Sequence, residues 1–262
     1  MKRHWKKIVG AGALLAALGV GGFLVWFYVI REEAPPALTT ADLDAALADT
    51  TVSNTTVGDT TVGTTPTDPT VAVTDSTPLA TGAAGASADS PSGTWTLTTD
   101  STLGYRIQEV LSGLDTEAAG RTNDATGTLS IDGSTATAAE FTVNMASMTS
   151  DSDRRDGQFR TRIMTVDQFP TSTFVLTSPI DFGTVPAEGV TIAATATGDL
   201  MLRGVTNPVT FDVQAKLENG RIGVLGNIPI LFSDYDIPDP SNQIATVKDN
   251  GLLEFVLVFE RA

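Results

Sequence analysis

The 262-residue sequence contains no cysteine. Disulfides, thiolate metal sites and cysteine nucleophiles are therefore excluded. Its single histidine is His4, in a basic N-terminal head, so the usual triads and histidine-based zinc sites are excluded as well. Basic residues are scarce, 16 against 31 acids, for a formal charge of −15. That balance excludes a nucleic acid partner, because phosphate binding depends on clustered Lys and Arg. There is no Gly-x-Ser-x-Gly elbow, and no carboxylate pair is singled out by its spacing. The acidic clusters Asp151-Ser152-Asp153 with Asp156, and Asp234-Tyr235-Asp236 with Asp239, lack the spacing and terminal Glu of a calcium loop. The sequence predicts no enzyme, no metal and no cofactor.

What is present divides into three segments. Ile8 to Ile30 is an unbroken run of 23 apolar or glycine residues. As a helix it would span roughly 35 Å, against about 30 Å of hydrocarbon core. Lys2, Arg3, Lys6 and Lys7 precede it, and Arg31-Glu32-Glu33 follow it. Residues 1–30 are thus predicted to be a basic head and a transmembrane anchor. The expected location is the cell membrane, single-pass, with the N-terminus cytoplasmic and the remainder extracytoplasmic. A cleaved signal peptide fits less well, because the bulky residues Val25 to Ile30 stand where a cleavage site needs small ones. Residues 31–92 carry nine acids and one Arg among Thr, Ala, Pro and Asp. Too little apolar area is available there to offset chain entropy, which predicts a disordered tether. A short helical turn around Ala41 to Ala48 is compatible with it.

Residues 93–262 read as the folded domain. Runs with period-2 alternation occur at Thr94–Asp100, Gly104–Val110, Thr126–Ile131, Thr137–Met148, Thr173–Thr177, Val190–Leu202, Val209–Leu217, Arg221–Phe232 and Leu252–Arg261. Asp132-Gly133 and Asn219-Gly220 mark tight hairpins. One stretch, Ser152–Thr165, reads as helical. So many strands with one helix predict a mainly β domain, a barrel or a sandwich. In the 190–202 run one face carries Ile192, Ala194, Ala196 and Gly198. Small residues there leave space that either a cavity or a large aromatic from a facing strand can take.

The ordered motifs of this region resemble the YceI-like family. Trp95-Thr96-Leu97 with Ser101-Thr102-Leu103-Gly104-Tyr105-Arg106-Ile107 is similar to its first two strands. Phe141-Thr142-Val143-Asn144-Met145 leads to Arg154-Arg155-Asp156, then Phe169-Pro170 and the strand at Thr173-Phe174. Gly198-Asp199-Leu200 through Gly204-Val205-Thr206-Asn207-Pro208-Val209 is similar to a family hairpin. Gly157-Gln158 stands where the family often has His. The resemblance implies an antiparallel eight-stranded lipocalin-like barrel with one short helical insertion. It also implies a non-catalytic partner class: an apolar lipid, a polyisoprenoid or isoprenoid quinone.

With the anchor, this gives a membrane-anchored lipid-binding domain as the expected function. The alternative is a surface-displayed β-domain with a filled core that meets a protein or an envelope polymer. Inward parity selects Tyr105, Ile107, Phe141, Val143 and Met145 as candidate lipid contacts. Phe174, Leu176, Ile192, Ala194 and Ala196 follow on the next strands, with Phe211, Val213, Phe255 and Leu257 completing the set. Arg154, Arg155, Arg160 and Arg162 are candidates for a polar head group. The competing role for Arg154 or Arg155 is pairing with Asp151, Asp153 or Asp156.

Overall fold

Alternation of apolar and polar residues is what closes this chain on itself. A computed structural model describes residues 34–48, 90–111, 113–242 and 245–262. Its strands are β1 (Gly93–Leu97), β2 (Thr102–Leu111), β3 (Leu114–Thr122), β4 (Ala125–Asp132), β5 (Thr135–Asn144) and β6 (Thr149–Ser150). They continue with β7 (Thr171–Leu176), β8 (Ile180–Asp181), β9 (Thr191–Leu202), β10 (Val205–Glu218), β11 (Arg221–Leu231), β12 (Ala245–Val247) and β13 (Asn250–Arg261). Eight of them form a closed antiparallel ring in the order β1-β4-β5-β7-β9-β10-β11-β13, with β13 pairing back onto β1. Closure leaves the ring without an edge strand.

β1 and β2 lie end to end along β13: Trp95 pairs with Arg261 at one end, and Arg106 with Leu252 at the other. The break between them is held by Ser101, whose hydroxyl accepts a hydrogen bond from Val258 N at 2.9 Å. Beyond the ring, β2 pairs with β3 and β12, which extends the wall at one end of the barrel. Hairpins form at both expected places. At Asn219-Gly220 both residues have positive φ, 53° and 70°, the left-handed pair that a two-residue turn requires.

Two α-helices are described. α1 (Thr40–Leu47) packs on the outside of the barrel, and α2 (Asp153–Gln158) caps one end. The Ser152 hydroxyl caps α2 by accepting from Arg155 N. A π-turn, Phe159–Ile163, takes the place of the second half of the helix expected at Ser152–Thr165.

α1 lies inside the stretch that composition marks as a tether. Its Leu43 and Leu47 are fully buried against Leu225, Val256 and Val258. Residue Gly223 makes this approach feasible, since a Cβ there would stand 2.5 Å from Leu43 Cδ1. Ahead of the helix the chain is clamped by charge. The side chain of Glu254 is fully buried and pairs with Arg121 at 2.9 Å and Arg106 at 3.4 Å. It also accepts from Leu38 N, while Arg106 donates to the Pro35 carbonyl at 2.6 Å. The remainder of the expected tether, residues 49–89, lies outside the described residues.

The expected transmembrane helix is corrected. Among the described residues no helix is long and apolar enough to cross a membrane. The longer described helix, α1, has 8 residues, about 12 Å against a core of about 30 Å. The run Ile8–Ile30 lies outside the described residues. The fold is the eight-stranded barrel with its short helical insertion. The single-pass membrane location and the membrane as a partner fall with the helix that carried them.

Candidate functional site

The barrel interior is not uniform. Four strands each send one phenylalanine to the same level: Phe141 from β5, Phe174 from β7, Phe211 from β10 and Phe255 from β13. Their rings touch in a cycle, with centroids 5.4 Å apart for 141–174, 5.4 Å for 174–211, 6.0 Å for 211–255 and 5.8 Å for 255–141. Edge and offset contacts of this kind add to the area that they bury. Neighbouring strands make room for the rings. A Cβ at Gly198 would lie 2.5 Å from the Phe174 ring, and one at Gly226 would lie 2.4 Å from that of Phe255. The space opposite the small face of β9 is therefore taken by aromatics: Ala196 is the register partner of Phe211.

On the α2 side of this layer the barrel is open inside. A cavity of about 660 Å³ is lined by Tyr105, Ile107, Phe141, Val143, Met145 and Phe255. These six are the predicted contacts that the structure brings together there. Phe174, Ile192, Ala196, Phe211, Val213 and Leu257 instead line a smaller cavity, about 120 Å³, on the other side of the phenylalanines. Leu176 and Ala194 line neither, though both pack against the interior cluster.

Much of the larger cavity's wall comes from residues that strand parity does not reach. Met148, Phe159 and Met164 enter from the segment around α2, and Phe232 and Ile237 from the loop after β11. Phe159 stacks on Tyr105, centroids 5.2 Å apart and nearly parallel. This ring pair holds the π-turn against β2. Burial pushes the Tyr105 phenol well above its ordinary value, so it stays protonated and can donate a hydrogen bond.

The arginines expected at the mouth divide by partner. Arg155 pairs with Asp151 and stands 3.7 Å from Glu109. Arg160 donates to the Met148 carbonyl at 3.2 Å, and Arg162 to that of Pro240 at 2.8 Å. All three have partners at the rim, and the Arg155–Asp151 pair is the one that matches the competing structural role. Arg154, which is exposed, and Arg155 both line the larger cavity. Asp156 is buried and accepts from Ser150 N at 2.9 Å, fixing α2 to β6. Among the described residues no group of three or more His, Cys, Asp or Glu side chains is placed to hold a metal.

Comparison with known proteins agrees with this architecture. The solved structure of a polyisoprenoid binding domain from Saccharophagus degradans, implicated in plant cell wall breakdown, is similar at 19% identity and a TM-score of 0.53. The match covers 64% of this chain and 98% of that one. Burkholderia cenocepacia BcnA matches at 20% identity and a TM-score of 0.47, over 60% of this chain and 95% of that chain. The Campylobacter jejuni YceI protein matches at 20% and 0.44, over 55% and 85%. No curated protein matches the chain. The family model for the YceI-like domain matches residues 95–259, most of the chain and nearly all of the barrel. The chain belongs to the YceI-like domain family.

Proposed function

We propose that this protein binds an apolar ligand, an isoprenoid-type lipid chain, in the larger cavity without transforming it. The observation that carries the reading is that cavity itself. About 660 Å³ of space walled mainly by apolar side chains lies within the 300–1,000 Å³ range typical of small-molecule sites. Burial at about 25 cal/mol per Å² drives entry of an apolar chain without a charged anchor. Tyr105, Ile107, Phe141, Val143, Met145 and Phe255 form the proposed contact set. Arg154 is the proposed rim contact for a polar head. The similar domain from Saccharophagus degradans, described as polyisoprenoid-binding, supports the same ligand class. Residues 93–262 form the proposed binding domain, with α1 as an outer brace. The membrane anchoring expected of this lipid-binding domain is corrected: no described helix is long and apolar enough to cross a membrane.

The second reading, a β-domain that meets a protein or polymer through its outer surface, is favoured by the phenylalanine layer that fills the barrel's middle. Mass spectrometry of organic extracts from the purified full chain tells the two apart. A lipid recovered in near-stoichiometric amount is the expected result. A clean extract, together with no uptake of added isoprenoid, contradicts the binding proposal and leaves the surface reading.

A further inference from the structure

The two cavities share a wall. Phe141 and Phe255 line both of them, and their rings meet at 5.8 Å across the barrel. Phe174 and Phe211 complete the layer from the far side. All four side chains are buried, and glycines stand against three of them. Beside Gly198 and Gly226 stand the rings of Phe174 and Phe255, and beside Gly127 stands Phe141 Cβ, 2.9 Å from where a Cβ would be. Rings wedged against backbone in this way have little room to swing aside. Beyond them the 120 Å³ cavity is walled by apolar residues such as Leu129, Ile131, Ile192 and Leu257. It is chemically suited to a hydrocarbon, and the Phe141 and Phe255 rings stand between it and the larger cavity.

We infer that Phe141 and Phe255 are specificity-determining residues: they set the depth to which an apolar chain enters, and so select for chain length. This rests on the proposed binding of an apolar ligand in the larger cavity. A chain that enters at the α2 end gains affinity with every group it buries, about 4-fold per methylene. Once its tip reaches the phenylalanines, further length stays at the mouth in water and adds nothing. Removing one shared ring joins the small cavity to the large one and moves the stop deeper.

The test uses the purified full chain and a graded prenol series (geraniol, farnesol, geranylgeraniol and solanesol), read as displacement of a fluorescent apolar dye. Wild type is expected to tighten along the series and then level off. Phe255→Ala is expected to bind the first prenol beyond that plateau roughly tenfold more tightly, with shorter prenols changed less than about threefold. Phe255→Leu and Phe141→Leu, milder changes at the same wall, are expected to shift the plateau in the same direction. They serve in place of Phe255→Ala should thermal unfolding show that the latter does not fold. Affinity that rises to the end of the series in wild type overturns the inference while keeping the binding proposal. So does a plateau that none of the variants moves. If no prenol displaces the dye from wild type, the binding proposal itself fails, and the inference with it.

Discussion

The two ends of this barrel solve the same closure problem differently. On the side of the smaller cavity, the wall is supported from inside by the four phenylalanines that meet across the barrel's middle. At the end holding the larger cavity, the interior is left open and support comes from outside. There the buried Glu254 gathers Arg106, Arg121 and the chain at Pro35–Leu38 onto the outer face of β13, β2 and β3. A binding cavity removes the packing that would otherwise hold its own wall. The brace at Glu254 is the compensation seen here.

That contrast can be broken most decisively by truncating each interior in turn. Phe174→Ala, on the filled side, is expected to lower unfolding free energy by about 3–5 kcal/mol. Ile107→Ala faces space that is already empty, and is expected to cost no more than about 2 kcal/mol. Urea denaturation of both variants checks this, and equal costs would remove the distinction between the two ends.

The outer brace comes next. Glu254→Gln leaves Arg106 and Arg121 without their shared carboxylate, and is expected to cost about 3 kcal/mol. The loss should show as faster hydrogen exchange along β2 and β3, with β9 and β10 little changed. A smaller effect is expected from Gly226→Ala, which pushes a methyl into the Phe255 ring and costs about 1–3 kcal/mol by overpacking.

The least effect should come from pH. The carboxylate of Asp42 accepts from both the hydroxyl and the amide of Thr39 at the start of α1, and the hydroxyl bond holds it below its ordinary value. A carboxylate lowered in the folded state contributes stability at neutral pH, and that contribution is lost as pH falls through its folded value. α1 is therefore expected to loosen only below about pH 4. Hydrogen exchange of its amides, compared with Asp42→Asn, checks this; a pH response shared by both proteins would show that Asp42 is not the group responsible.

Most of the barrel was legible because β1, β2, β4, β5, β7, β9, β10, β11 and β13 each contain a run with period-2 alternation. β3 was not. Its sequence, Leu114-Asp115-Thr116-Glu117-Ala118-Ala119-Gly120-Arg121-Thr122, offers no large apolar side chain after its first residue, and it is a strand because β2 needs a partner. A helical turn around Ala41 to Ala48 was legible, but the docking of α1 on the barrel was hidden for a related reason. Leu43 and Leu47 are spaced i, i+4 in a segment otherwise rich in Ala, Thr and Asp, and nothing local says that a wall is waiting for them. The run Ile8–Ile30 reads clearly by hydropathy, yet it lies outside the described residues and no described helix crosses a membrane.

For the site, period-2 parity found which side chains point inward but not which side of the phenylalanine layer they occupy. Phe141, Phe174, Phe211 and Phe255 are spread over more than a hundred positions, so their meeting is a product of register. The glycines at 127, 198 and 226 were the available signal, since small residues facing inward mark where neighbouring rings lie. The contributions of Phe159, Phe232 and Ile237 come from a helical turn and a loop, where strand parity has no meaning.

Calorimetric titration of the purified full chain with farnesol at several temperatures tests the central claim most directly. Saturable uptake at one ligand per chain, with a negative heat-capacity change from apolar burial, is the predicted result. No saturable heat at any temperature up to the solubility of farnesol would contradict it.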